Sequence, residues 1–124
     1  MMPKDTAESK ADSNRFLSSQ CRIGSRSFNV EILKFNNGGF VDISEGHDAR
    51  IGAISVCVKT NQGVVSTNLV PDRRGGIFAQ MVGELVAERT SGMAIVSLYI
   101  KEEIDPNITK TLLNEVRTLS GKKD

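Results

Sequence analysis

The sequence predicts an α+β domain: an antiparallel meander sheet carrying a long helix and a C-terminal helix on one face. Two observations carry this. Up to about position 70, apolar residues alternate with polar ones and the runs are separated by turn-forming residues. From Gly76 the apolar spacing widens to the helical period, returns to a strand-like run at 93–101, and becomes helical again after Asp105.

Residues 1–19, "MMPKDTAESKADSNRFLSS", hold too few sizeable apolar side chains to offset the entropy of ordering and are expected to form a disordered tail. Residues 20–121 are read as one domain. In "CRIGSRSFNVEILKF", Gly24-Ser25 is a hairpin turn, and Phe28, Val30 and Ile32 share a face opposite Ser27, Asn29 and Glu31. Asn36-Asn37-Gly38-Gly39 breaks the run, "FVDIS" follows as a short strand, and "EGHDAR" is a loop by composition. In "IGAISVCVKT", Ile54, Val56 and Val58 lie on one face and Cys57 on the other. The Asn61-Gln62-Gly63 turn then leads into "VVSTNLV".

Ile77, Met81 and Leu85 form one ridge of a helix over 77–89, and Phe78, Val82 and Val86 form the next. Gly92 stands where a left-handed C-cap is expected. "MAIVSLYIK" is apolar on both alternating sets, as a central strand would be. Asp105 is a good N-cap with Pro106 at the first helical position, and Ile108, Leu112, Leu113, Val116 and Leu119 repeat at helical spacing.

Composition excludes several functions. Sixteen basic against fifteen acidic side chains leave a net charge of +1, so no bulk field draws in nucleic acid or an anionic membrane. No apolar run is long enough to span a bilayer and no signal peptide is recognised at the start, so the chain is expected to stay in the cytoplasm. Cys21 and Cys57 lack the spacing and nearby histidines of a metal or redox site and read as buried thiols. His47, the single histidine, has no nucleophile signature to serve and reads as a polar loop residue. Glu102 and Glu103 suit the field of the helix start rather than acid/base work. No catalytic residue, metal site or cofactor is expected.

Two features remain. Arg73-Arg74-Gly75-Gly76 places two cations and two glycines before a helix N-terminus, the ingredients of an anion cradle, yet the endings of the P-loop and dinucleotide fingerprints are missing. A turn with a basic rim is the favoured reading, and a site for a phosphorylated metabolite, in a binding domain or small enzyme, is the alternative. The second feature is a ridge of small residues, Ala79, Gly83 and Ala87, on a helix whose polar stripe is only Gln80, Glu84 and Glu88. A single sheet face covers a narrower stripe than this helix offers. The small ridge is therefore expected to pack closely against either the second helix or a partner chain.

The order of elements, with the strings "VVSTNLV", "IFAQMVGELVAERTSG", "MAIVSLYIKEEID" and "ITKTLLNEVRTL", resembles the small proteasome assembly chaperones of the third and fourth human types and their fungal counterparts, over residues 20–119. The resemblance implies a non-catalytic chaperone that uses no ATP, pairs with itself or a related chain, and holds α-type proteasome subunits during ring assembly. Ala79, Gly83 and Ala87 would then make close contact with the partner, with Arg73 and Arg74 as a charged rim. A different class of proteasome chaperones ends in a hydrophobic-Tyr-any tail. This sequence ends Lys122-Lys123-Asp124, and the family offers no counterpart of its Arg-Arg-Gly-Gly stretch.

Overall fold

A computed structural model describes residues 15–71, 74, 75 and 77–121. Five strands come first: β1 (Phe16–Ile23), β2 (Arg26–Phe35), β3 (Gly38–Glu45), β4 (Ala53–Thr60) and β5 (Gly63–Val70). Helix α1 (Phe78–Thr90), strand β6 (Met93–Tyr99) and helix α2 (Pro106–Ser120) complete the chain. The α+β class is as the sequence predicts. The meander, however, is divided: the sheet order is β1-β2-β3-β6-β4-β5. Strand β6 lies parallel to β3 and antiparallel to β4. Its apolar character on both alternating sets suits that central place, with Ala94, Val96 and Leu98 buried on the helix side.

Strand β1 begins at Phe16, inside the stretch expected to be a tail. Phe16, Leu17, Ser18 and Ser19 pair with Leu33, Ile32, Glu31 and Val30 of β2. Backbone pairing in a continuous hairpin orders these residues, which their side chains alone would not. Residues 1–14 lie outside those described.

Both helices lie on the face made by Phe28, Val30 and Ile32 of β2, Val41 and Ile43 of β3, and Cys57 of β4, all buried. Helix α1 packs on β3 to β6, while α2 packs on β1, β2 and α1. The α2 start is as expected: the Asp105 carboxylate accepts the Ile108 N–H at 2.8 Å and Pro106 stands in the first turn. Ile108, Leu112, Val116 and Leu119 form its buried face.

The end of α1 differs from expectation. Ser91, not Gly92, adopts the left-handed conformation, with φ at 52°. Gly92 is needed for another reason: a Cβ there would collide with the Asn37 carbonyl. The chain passes close to β4 and to the turn between β2 and β3 at this point, since the Gly92 carbonyl accepts from the Lys59 N–H at 2.7 Å and the Met93 N–H donates to the Asn37 carbonyl at 2.9 Å.

One polar cluster closes the covered face. Arg26 makes a two-pronged contact with Glu45, both bonds at 2.9 Å, and also donates to the carbonyls of Glu102 and Glu103. The Lys101 N–H donates to the same carboxylate at 2.8 Å. This joins β2 and β3 to the segment that leads into α2. At Glu102 and Glu103 these contacts are made by the backbone oxygens, and both residues are exposed.

Candidate interaction surface

The small ridge of α1 is the first expectation to revise. Ala79, Gly83 and Ala87 are all buried within the chain. A Cβ built on Gly83 would stand 2.5 Å from Cys57 Sγ and 3.3 Å from Val96 Cγ2, so this ridge rests on β4 and β6. At Gly83 it is the sheet that covers the ridge. The physical reason lies in β4, whose helix-side residues Ala53, Ser55 and Cys57 are themselves small and buried. Two small surfaces let helix and sheet approach closely, and that approach offsets the roughly 1 kcal/mol that a mid-helix glycine costs. The ridge left partly uncovered is Ile77, Met81 and Leu85, with Ile77 well exposed.

Burial raises the Cys57 thiol above its ordinary range, and its contacts are the Ser66 hydroxyl and the Gln80 carbonyl. Cys21 is raised by burial in the same way. Neither has the environment of a reactive thiolate. Among the described residues no group of three or more His, Cys, Asp or Glu side chains is placed to hold a metal ion. His47 is exposed in the loop between β3 and β4.

Arg73 and Gly76 lie outside the described residues. Arg74 is exposed and donates to the Ile100 carbonyl at 3.2 Å. It borders a cavity of about 430 Å³ lined also by Gly52, Val70, Pro71, Tyr99 and Ile100. The Phe78 N–H, which an anion at the mouth of α1 would need, donates to the Gly75 carbonyl at 2.9 Å. Gly75 thus serves a turn into the helix.

The surface that sequence reasoning missed is the other face of the sheet. Cross-strand registry aligns its side chains in rows. One row runs Phe16, Leu33, Phe40, Ile95, Val56 across β1, β2, β3, β6 and β4. The adjacent row holds Phe35, Met93, Val58 and Val65, reaching β5. Together they make an apolar band across all six strands, with Phe40 at 42% exposure and Val65 at 58%. Contiguous exposed apolar surface of this kind marks interaction sites. The signal was present in β4, where large branched residues alternate with small ones.

The next row is polar and carries a charge anomaly. Glu31 and Asp42 stand directly opposite each other on β2 and β3, flanked by Ser18 and Ser97. Glu31 is held above the usual carboxylate range by burial and by the neighbouring Asp42 charge, and Asp42 by burial. Over this row folds the 46–52 loop: the Ser44 hydroxyl bonds to both backbone groups of Arg50, and the Gly52 N–H donates to Ser97. Between loop and sheet lies a cleft of about 310 Å³ lined by Phe40, Asp42, Ala49, Ile51, Ile54 and Ile95.

No family model matches the chain, and no curated protein sequence does. Among solved structures, it is similar to a chain in the crystal structure of a novel chaperone complex for yeast 20S proteasome assembly. The TM-score is 0.59 at 15% identity, covering 86% of this chain and 99% of that one. At that identity the likeness is one of fold. No helix among the described residues is long and apolar enough to cross a membrane.

Proposed function

We propose that this chain is a non-catalytic interaction module that pairs with a second copy or a related chain across its open sheet face, and that the pair acts as a cytoplasmic chaperone for α-type proteasome subunits. The observation that carries the pairing is the uncovered apolar band. A sheet face of this width is stable in water when a second layer covers it, and two such faces pack about 10 Å apart. The likeness in fold to a chaperone complex for proteasome assembly supports the choice of client. Arg73 and Arg74, at the entry to α1, are proposed as a basic rim that orients an acidic partner.

A low-salt pull-down of the tagged chain from its native cells, read by mass spectrometry, tests the whole reading. Recovery of α-type proteasome subunits supports it, and recovery of the chain alone from an input rich in proteasome overturns the client. The same eluate analysed by light scattering tests the pairing, which a purely monomeric mass overturns. Replacing Arg73 and Arg74 together by Glu is expected to weaken partner capture with the fold retained; unchanged capture removes the rim. A melting temperature raised by simple phosphate esters would instead favour a metabolite site beside Arg74.

A further inference from the structure

Strand β5 is an edge of the sheet, paired among the described residues with β4 alone. The direction of its free backbone groups follows from its neighbour. Lys59 turns its N–H away from β5, toward Gly92. Its cross-strand partner Val64 therefore turns its own N–H and C=O away from β4, and so do Ser66 and Asn68 at alternate positions. Natural edges are blunted with charge, proline or a covering element. Gly63–Val70, "GVVSTNLV", has neither a charged residue nor a proline, and most of it is exposed.

We propose that β5 receives an extended segment of a partner protein as a seventh strand, and that this segment carries Lys or Arg on its helix-facing side. The backbone groups of Val64, Ser66 and Asn68 require an extended chain, because only a strand presents matching donors and acceptors at that repeat. Charge decides which strand. On the helix side, the Ser66 hydroxyl donates to the Glu84 carboxylate at 2.8 Å, and the Gln80 amide donates to the same carboxylate at 2.9 Å. Glu84 thus stands over the edge strand with neutral hydrogen-bond partners. A second copy added through its own β5 would bring a second Glu84 toward the first. A basic side chain in that position meets an opposite charge in a partly desolvated setting. On the other side the added strand would extend the apolar band beyond Val65, so its alternate residues are apolar. This surface lies at the edge of the sheet and does not depend on pairing through its open face.

The probe is a synthetic capped peptide of about eight residues alternating Val and Lys, with a Val and Glu peptide and a Val and Lys peptide N-methylated at every residue as controls. Hydrogen exchange of the full-length chain, followed by NMR, reads the result. The Val and Lys peptide is expected to slow exchange of the Val64, Ser66 and Asn68 amides by about tenfold or more, and to leave Val65 and Thr67, already bonded to β4, nearly unchanged. The controls are expected to leave all five amides unchanged, and Glu84→Lys is expected to shift the preference to the Val and Glu peptide. Equal protection by both charged peptides, or none by either, overturns the proposal. So does protection of those amides without peptide in a sample of doubled mass, which assigns the edge to a second copy. Phe40→Asp, placed on the open face, should remove association through that face while peptide binding persists, so the two interactions fail separately.

Discussion

Along β4 the residues that point toward α1 are Ala53, Ser55 and Cys57, and those that point away are Ile54, Val56 and Val58. By hydrophobicity alone the second set is the better core. It is nevertheless the first set that is buried, because the helix above it is narrowed by Ala79, Gly83 and Ala87 and can come close only to small residues. Close packing gains many weak dispersion contacts that a gap would forfeit. The larger residues are left on the face the chain does not cover, where they are available to another molecule. The two faces therefore differ in role: one holds the fold, and the other is the surface on which the proposed pairing rests.

That contrast can be tested from its strongest point downward. On the covered face, Arg26→Met removes the cation from Glu45, whose side chain is 8% exposed, and is expected to cost about 3 kcal/mol, measured by urea unfolding at neutral pH. A loss below a few tenths of a kcal/mol would show that Glu45 is held by the Lys101 amide instead. The same pair sets an acid limit. Arg26 holds the Glu45 carboxyl below the ordinary 4.5, so the stability it adds is complete above that pH and is lost as pH falls through the depressed value. Arg26→Met should flatten that part of the pH profile.

Gly83→Ala comes next. Its Cβ meets Cys57 Sγ, and overpacking of this kind costs about 1–3 kcal/mol. Adding Cys57→Ala should return part of the loss. If the double variant is no better than the single one, the helix is kept apart from the sheet by something other than that contact.

On the open face, Phe40→Asp or Val58→Lys should change monomer stability by only about 0.5 kcal/mol while abolishing association in light scattering. A large stability loss would mean that this face belongs to the chain's own core. The smallest effect is expected at the acidic row. Glu31→Gln should stabilise the chain by about 0.2–1 kcal/mol at pH 7, since like charges directly opposite each other on neighbouring strands repel. The sign with pH is opposite to that of Glu45: Glu31 and Asp42 have raised folded values, so their contribution is most favourable at low pH and declines as pH rises through those values. An unchanged profile in Glu31→Gln would remove the pair from the account.

Of the surface on which the proposed pairing rests, the sequence showed the residues but not their arrangement. Ile54, Val56 and Val58 were visible as one face of a strand, yet which face would be covered depended on a helix that follows some twenty positions later. Phe35 and Phe40, on the two arms of one hairpin, become neighbours of Met93 and Ile95 only because β6 enters between β3 and β4.

The sequence by itself determined what local chemistry decides. The alternation of Phe28, Val30 and Ile32, the helical spacing of Ile108, Leu112, Val116 and Leu119, and the Asp105-Pro106 start all rest on interactions within a few residues. Tertiary structure decided the rest: the parallel place of β6, the pairing that draws Phe16–Ser19 into β1, and the burial of Gly83 against Cys57. A strand's period states that it has two faces, but not which neighbour it will find or which face will be buried. Those depend on contacts between residues far apart in the chain, and here they were settled by which surfaces were small enough to meet.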